Sequence, residues 1–568
     1  MDYIFSIGIV LAIFITVVIS GIVSDKRQEK RFRERLRKEF GKEIKMEYSK
    51  ERFSCRSGYF DAHRDNEDLI DDITWNDLEG DRIYRYINHS YSSVGDEYLY
   101  YLLHKPAYDR NSQAEELHYN EMVEFFRTHE KEREDLQVTF ARLGRTGSFS
   151  IYQYLGLLNS IYDRKKGKGP YLIKYLIRWL ILAALIVFLI FYPLPGIVAL
   201  VVYLIVLIGT YFFLKKDIEP FLTSFDYILR MLRTIETLQK DESAVLSDEK
   251  KKLLELRRKL SAVSTANLVF MKTGSATMGA GDLMALAIGT VKLLTHIDLY
   301  LFERMLNQVV NHKEEIDEII SILGRIESTI SVASFRECIP NWCNPVFHDA
   351  NDFTITDGFN PLIEGAVPNS FCVTEGMLVT GSNASGKSTF LRMTAACALL
   401  AETIYTVPAT VYKAPRFRIY SSISIKDCPE LKESYYMVEI KSVRRMMKAM
   451  EDSKSRVLIF IDEVLRGTNT VERIAAASEI IRYFVNGNAT IFAATHDREL
   501  TFILKDCLKN YHFEEIIEED DIHFPFKLME GRSNSQNAIR LLGLMDYPES
   551  VVTCAKKRAD DFLKNGEW

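Results

Sequence analysis

The stretch Gly381-Ser-Asn-Ala-Ser-Gly-Lys-Ser388 constrains this chain more than any other. Its spacing is Gly-x-x-x-x-Gly-Lys-Ser. Phe371–Thr374 and Met377–Thr380, which precede it, are apolar and β-prone, and Thr389–Leu400, which follows, reads as a helix. Strand, glycine loop and helix in that order predict an α/β P-loop domain. The glycines let successive backbone N–H groups turn inward on phosphate oxygens, and the helix N-terminus adds partial positive charge. The pattern assigns Gly381, Ser382, Asn383, Ala384, Ser385, Gly386 and Thr389 to a nucleotide, Lys387 to its β/γ-phosphates and Ser388 to Mg²⁺.

Arg456-Val-Leu-Ile-Phe-Ile-Asp-Glu463 reads as a buried parallel strand that ends in two carboxylates. Strand ends are where α/β sheets place ligands. Asp462 is expected to contact Mg²⁺ and Glu463 to orient and polarise a water attacking the γ-phosphate. A third strand, Ala489–Thr495, ends at His496, which is placed to sense the γ-phosphate. Glu463, His496 and Lys387 are the expected catalytic residues. ATP and Mg²⁺ are the expected cofactors, with Ser388 and Asp462 holding the metal.

At 568 residues the chain is long enough for two to four domains. Lys plus Arg is 72 and Asp plus Glu is 78, so the net charge is −6. This excludes a bulk nucleic-acid binder, and any DNA contact needs a local patch. Eight scattered cysteines predict reduced cytosolic thiols. Only Cys338 and Cys343 are close together, with His348 nearby, too few ligands for a zinc site.

Tyr3–Val23 carries no charge, and at about 1.5 Å per residue it spans a bilayer core. Asp25–Lys38 follows with eight basic and three acidic residues. Together they predict an uncleaved anchor over 1–24, with its N-terminus outside, and a basic juxtamembrane segment over 25–70 that meets lipid headgroups or solvent. Tyr171–Tyr192 and Gly196–Leu214 form two further apolar runs. Pro193 and Pro195 are expected in a tight turn between them. Arg164, Lys165, Lys166, Lys168, Lys174, Lys215 and Lys216 flank the outer ends, and Arg178 is placed to snorkel. The prediction is a transmembrane hairpin over 171–214 and three spans in all, with the bulk of the chain in the cytoplasm.

The rest of 71–340 reads as helical. Ser112–Arg142 is amphipathic, with Leu117, Met122, Val123, Phe126 and Leu136 as core positions. Asp241–Asp248 suggests a turn with a helix cap. Met278–Gly289 is small and mostly apolar, interrupted by Asp282, and suggests close helix packing. Asn311–Ser334 places Ile316, Ile319, Ile320, Leu323 and Ile330 at core spacing. Pro340 and Pro345 mark the passage into the nucleotide-binding part, 341–568.

Gly381–Ser388, Ile461–Thr468, Ala494-Thr-His496, Val407-Pro-Ala409 and Ser434-Tyr-Tyr-Met-Val-Glu439 together resemble the ATPase domain of the MutS family. Gly531–Ile539 followed by Leu541–Leu544 is similar to that family's C-terminal dimerisation helices. Ser93–Leu99 with Pro106, and Ile330–Phe335, resemble the ends of its helical core and lever domain. The resemblance spans about Asp71 to Leu563. It implies a homodimer of ABC-like ATPases in which Ser434 reaches the second subunit's nucleotide.

The departures from that family are specific. Too few residues separate the first anchor from Asp71 for a mismatch-reading domain, and Gly58–Asp61 is not the Phe-x-Glu wedge. Only a helical hairpin, Phe221–Leu260, stands where a DNA clamp is expected. Lys432-Glu433 replaces a glycine before Ser434, Asn360-Pro361 replaces His-Pro, and no nuclease-like extension follows Trp568. The primary expectation is a membrane-anchored ATPase coupled to DNA, with Lys250, Lys251, Lys252, Arg257, Arg258 and Lys259 as DNA-facing candidates. A second is an ATP-driven conformational switch acting on a protein partner without DNA. An ABC transporter is a third, opposed by the small number of spans and their lack of charged pathway residues.

Overall fold

The computed structural model describes all residues except 1–22, 25, 44–54, 65–68, 108–112, 148, 166–170, 217–221, 241–242, 262, 264–282, 383–384, 424–434, 454, 467, 519–520, 534–538, 540–541, 543–544, 546 and 566–568. The expected first anchor, Asp282, Asn383, Ala384 and Ser434 therefore lie outside the described residues, as does most of Gly531–Leu544. The chain forms two compact units. One comprises Met1–Asp65, Asn88–Tyr101 and Glu121–Ala333; the other comprises Asn66–Ile87, Leu102–Asn120 and Ser334–Trp568. The second unit thus includes two short segments that sequence reading groups with the helical part.

The first unit is helical. Helix Lys313–Cys338, of which the residues up to Ala333 belong to this unit, buries Ile316, Ile319, Ile320, Leu323 and Ile330, as their spacing predicts. Glu327 on this helix accepts hydrogen bonds from the backbone N–H groups of Tyr91 (2.6 Å) and Ser92 (3.1 Å) and from the Ser92 hydroxyl. Its carboxylate thereby satisfies donors at the start of helix Ser93–His104, where a helix has N–H groups with no internal partner.

The amphipathic stretch is two helices, Gln113–Thr128 and Glu130–Leu143, broken at His129, whose backbone is non-helical. Met122, Val123, Phe126 and Leu136 are buried as expected, but Leu117 is 61% exposed. The buried face runs through Tyr119, Met122, Val123 and Phe126, and position 117 falls outside that stripe.

The basic N-terminal segment is a helix over residues 26–39, and part of its charge is met within the first unit. Arg33 bonds Asp135 (2.7 Å), and Arg37 pairs with Glu130 (2.9 Å) and Glu134, so the acidic face of Glu130–Leu143 takes these charges. Leu36 is buried, and Phe32 stands edge-on to Tyr91.

Among the described residues one helix, Pro193–Lys216, is long and apolar enough to cross a membrane, with a mean hydropathy of 2.7; helix Tyr171–Phe191 carries a shorter apolar stretch, Tyr175–Phe191. Three spans are therefore not seen among the described residues. The prolines are not in the connecting turn but in the first turn of the second helix. There a missing N–H leaves nothing unpaired, and the fixed proline φ suits the helix. Arg178, near the start of the first apolar helix, donates through Nη1 to Nδ1 of His296 at 2.7 Å. Gly289, in helix Leu283–Thr295, has open space where a Cβ would stand, so among the described residues no neighbour requires a glycine at that position.

Helix Ser247–Lys259 lacks the expected side-chain cap; its N-cap position is Leu246, and Asp248 and Glu249 instead complement the helix dipole. Four of the candidate DNA-facing cations are engaged inside this unit. Lys250 Nζ donates to the Ser243 carbonyl (2.9 Å). Lys252 pairs with Glu318 (3.0 Å), Lys259 with Glu315 (3.2 Å) and Arg257 with Glu236.

The second unit is α/β. Its strands are β1 (Val346–Phe347), β2 (Phe353–Gly358), β3 (Asn369–Val373), β4 (Gly376–Thr380), β5 (Val411–Ala414), β6 (Phe417–Ser422), β7 (Arg456–Asp462), β8 (Ala489–Thr495), β9 (Lys509–His512), β10 (Ile516–Glu518), β11 (Asp521–His523) and β12 (Met529–Glu530). The main sheet has the order β12-β9-β4-β8-β7-β6 and is parallel except for β12. A smaller sheet has the order β1-β5-β2-β3, so the two runs before the loop, β3 and β4, belong to different sheets. β7 and β8 are buried on both faces, as crossover-connected parallel strands must be. Successive side chains alternate. Ile459 and Ile461 join Val443, Met446, Ile481 and Phe484 of helices Tyr435–Asp452 and Thr470–Asn486. Phe460 turns the other way onto Phe492 (5.3 Å), which meets Phe353 and Phe371 of the smaller sheet.

Candidate active site

β4 delivers the chain to Gly381, whose φ is +147°; a Cβ there would lie 2.8 Å from both the Phe513 carbonyl and Ser385 Oγ. The loop therefore needs glycine to turn. Gly386, at φ +106°, is the N-cap of helix Lys387–Ile404, whose first-turn N–H groups face the loop. Lys387 is 5% exposed, and its Nζ donates to the carbonyls of Gly381 (2.7 Å) and Ser382 (2.8 Å). Burial lowers its pKa, opposed by the charges of Asp462 and Glu463. Ser385 Oγ is buried with no hydrogen-bond partner among the described residues. A positively charged cradle with an orphaned hydroxyl fits a phosphate ligand.

β7 lies two places from β4, with β8 between, and the three parallel strands end at one edge. Asp462 closes β7, and its Oδ2 accepts from the Ser388 hydroxyl. Two hard oxygen donors in contact suit Mg²⁺, which keeps few protein ligands and fills the rest with water and phosphate. Among the described residues no group of three or more His, Cys, Asp or Glu could hold a metal by itself.

Glu463 turns out of the strand at φ +62° with its N–H on the Ala494 carbonyl (2.9 Å). Both carboxylate oxygens are held: Oε1 by His496 Nε2 and Oε2 by Arg466 Nε (2.9 Å). The His496 hydrogen bond, and then the Arg466 charge, keep this carboxyl below its ordinary pKa. Arg466 Nη2 also donates to the Asp462 carbonyl (2.7 Å).

The structure thus brings Gly381, Ser382, Ser385, Gly386, Lys387, Ser388, Thr389, Asp462, Glu463 and His496 to one strand edge. One cleft is lined by Ser382, Lys387, Ser388, Asp462, Glu463 and His496, and also by Arg466 and Phe526. Neither of these last two, nor Glu515, which accepts from Ser382 Oγ (2.8 Å), was assigned a role from sequence. Arg466 lies three residues past Glu463, which could have flagged it; Phe526 and Glu515 arrive from remote segments and left no local signal.

Residues 377–563 match the MutS domain V. The chain is also similar to proteins named DNA mismatch repair protein MutS. That of Lactobacillus delbrueckii subsp. bulgaricus is 30% identical over 287 residues, covering 48% of this chain and 32% of the relative. Those of Aquifex pyrophilus (30% over 275 residues, 46% and 32%) and Bacillus mycoides (31% over 258 residues, 43% and 28%) are alike in extent. The chain spans about a third of the length of these curated relatives. The strand-end carboxylates, the phosphate loop and the helix behind it all fall within 377–563, so the site described above is carried by a segment that matches MutS domain V.

Proposed function

We propose that this chain is a membrane-anchored member of the MutS family that binds and hydrolyses ATP. The observation that carries the reading is the placement of Glu463, held by His496, at the same sheet edge as the phosphate loop and the Ser388–Asp462 contact. The N–H groups of Gly381–Thr389 hold the phosphates, with Asn383 and Ala384 completing the loop, and the Lys387 ammonium neutralises the β/γ-phosphates. Mg²⁺, held by Ser388 and Asp462, supplies charge neutralisation at the phosphate oxygens. Glu463 accepts a proton from the attacking water as the water oxygen bonds to the γ-phosphorus and the bond to ADP breaks. His496 fixes the Glu463 carboxylate and stands where a γ-phosphate is sensed. In a homodimer, Ser434 of a second subunit completes each site.

The apolar helices Tyr171–Phe191 and Pro193–Lys216 form a membrane hairpin, with the ATPase domain in the cytoplasm. Leu180, Ile190, Phe191 and Leu194 are 67–80% exposed, which suits a lipid surround. The run Tyr3–Val23 adds an anchor. ATP turnover is coupled to DNA, as the names of the relatives suggest. The internal pairing of Lys252, Arg257 and Lys259 favours a second reading, in which the ATP-driven dimer switches a protein partner without DNA.

The test uses full-length protein from membranes. Glu463→Gln should lower ATP turnover on the order of 10²-fold or more while retaining bound ATP. Equal hydrolysis by wild type and variant would overturn the role of Glu463. Capture with Glu463→Gln separates the two couplings: DNA recovered with the protein favours the first, and one protein partner without DNA the second.

A further inference from the structure

β7 and β8 are neighbours, and the segments that leave their ends are tied to each other beyond the strand ladder. The Glu463 N–H donates to the Ala494 carbonyl (2.9 Å), the Glu463 carboxylate meets His496, and Arg473 pairs with Asp497. In that pair Arg473 Nη2 donates to Asp497 Oδ1 (2.6 Å) and Nε donates to Oδ2 (3.0 Å). Two parallel bonds fix the plane of the carboxylate as well as its position. The side chains are 24% and 14% exposed, so the pair is partly shielded from water. The Asp497 N–H also donates to Thr495 Oγ1 (3.0 Å). His496 thus stands between two anchored residues: Thr495, in register with Thr380 of β4, and Asp497. Arg473 is anchored in turn, because its own N–H closes the first turn of helix Thr470–Asn486 on the Asn469 carbonyl (2.8 Å).

The His496 side chain is 38% exposed, so packing by itself leaves the ring room to turn, and its direction depends on where the backbone at 496 is held. Arg473 and Asp497 line the same cavity as Glu463 and His496. We propose that Arg473 is a positioning residue that acts through Asp497: the pair sets the backbone from which His496 reaches Glu463, and so keeps that carboxylate aimed at the attacking water. The proposal rests on the ATPase reading above. The proton still passes from water to Glu463 as the bond to ADP breaks, and Arg473 moves none itself.

The experiment is single-turnover hydrolysis of radiolabelled ATP by the full-length protein, with protein in excess so that slow variants are followed as well as fast ones; equilibrium dialysis reads ATP affinity. Arg473→Met and Asp497→Asn should each lower the rate about 10-fold or more while ATP affinity changes less than about two-fold, because a displaced catalytic group costs rate and leaves the phosphate loop intact. The two together should be no slower than either alone, since each removes the same pair. In a His496→Ala background neither should change the rate by more than about two-fold, whereas a general loss of packing slows every background alike. Asp497→Asn keeps the size and shape of its side chain, so it carries the test if Arg473→Met does not fold. A folded Asp497→Asn within about two-fold of the wild-type rate, or an equal loss with and without His496, overturns the positioning role alone. Wild-type hydrolysis no faster than Glu463→Gln overturns the ATPase reading and the positioning role with it.

Discussion

Glu402 stands near the C-terminal end of the helix that begins at the phosphate loop, and it is fully buried. Its Oε1 accepts the Phe417 N–H (2.9 Å) and its Oε2 accepts Arg416 Nη1 (3.0 Å). Arg416 also donates to the Ala107 carbonyl (2.9 Å), pairs with Glu116 and lies over the Phe347 ring at 3.9 Å. Burial pushes the Glu402 pKa up, and the Arg416 charge opposes it. Arg416→Met leaves the carboxylate with a single N–H donor in a site that excludes water. Breaking a buried pair from one side costs about 3–5 kcal/mol. Replacing both partners removes the unpaired charge, so Arg416→Met with Glu402→Gln should recover more than about half of that loss. The chain has two units and four tryptophans, so the probe must report on the second unit alone. Urea melts followed by Trp75 and Trp342 fluorescence, with Trp179 and Trp568 replaced by Phe, meet that need. A single-variant loss below about 1 kcal/mol, or a double variant as unstable as Arg416→Met, would refute the reasoning.

Two further outcomes follow from buried groups. Burial pushes the Glu327 carboxyl up to about 7 from an ordinary 4.5, against the donors of Tyr91 and Ser92 that favour its charged form. The folded state then holds a proton that the unfolded chain has lost between about pH 4.5 and 7, so stability falls as pH rises through that window and is flat above it. Glu327→Gln should remove about 3 kcal/mol of this pH dependence, and an unchanged profile of Tm against pH would count against it. Gly381→Ala places a Cβ 2.8 Å from the Phe513 carbonyl at a φ of +147°. It should abolish nucleotide binding by equilibrium dialysis while leaving the first unit folded; retained affinity would mean that the loop has another route.

The legible parts were those in which local pattern and physical role coincide. β4, β7 and β8 are apolar runs that end at ligand-type residues. Parallel strands that share an edge bring Lys387, Asp462, Glu463 and His496 together without any further information. Helix Lys313–Cys338 was legible for the same reason, because its period names its buried face. Leu117 was misplaced because four apolar or aromatic neighbours define a stripe that excludes it. The partners of the basic segments were not legible because charge composition does not say what a charge meets. Arg37 finds Glu134, 97 residues away, and Lys259 finds Glu315, 56 residues away.

By itself the sequence determined the α/β class of the second unit, its phosphate loop, the acidic strand end and the apolarity of the hairpin. Each of these is written in short-range spacing, where one residue's chemistry is read against its near neighbours. Only the tertiary structure decided which oxygen of Glu463 is held by Arg466 and which by His496, and that Glu515 reaches Ser382 in the phosphate loop. Such pairings depend on distances between elements, and a few ångströms separate an ion pair from two solvated charges.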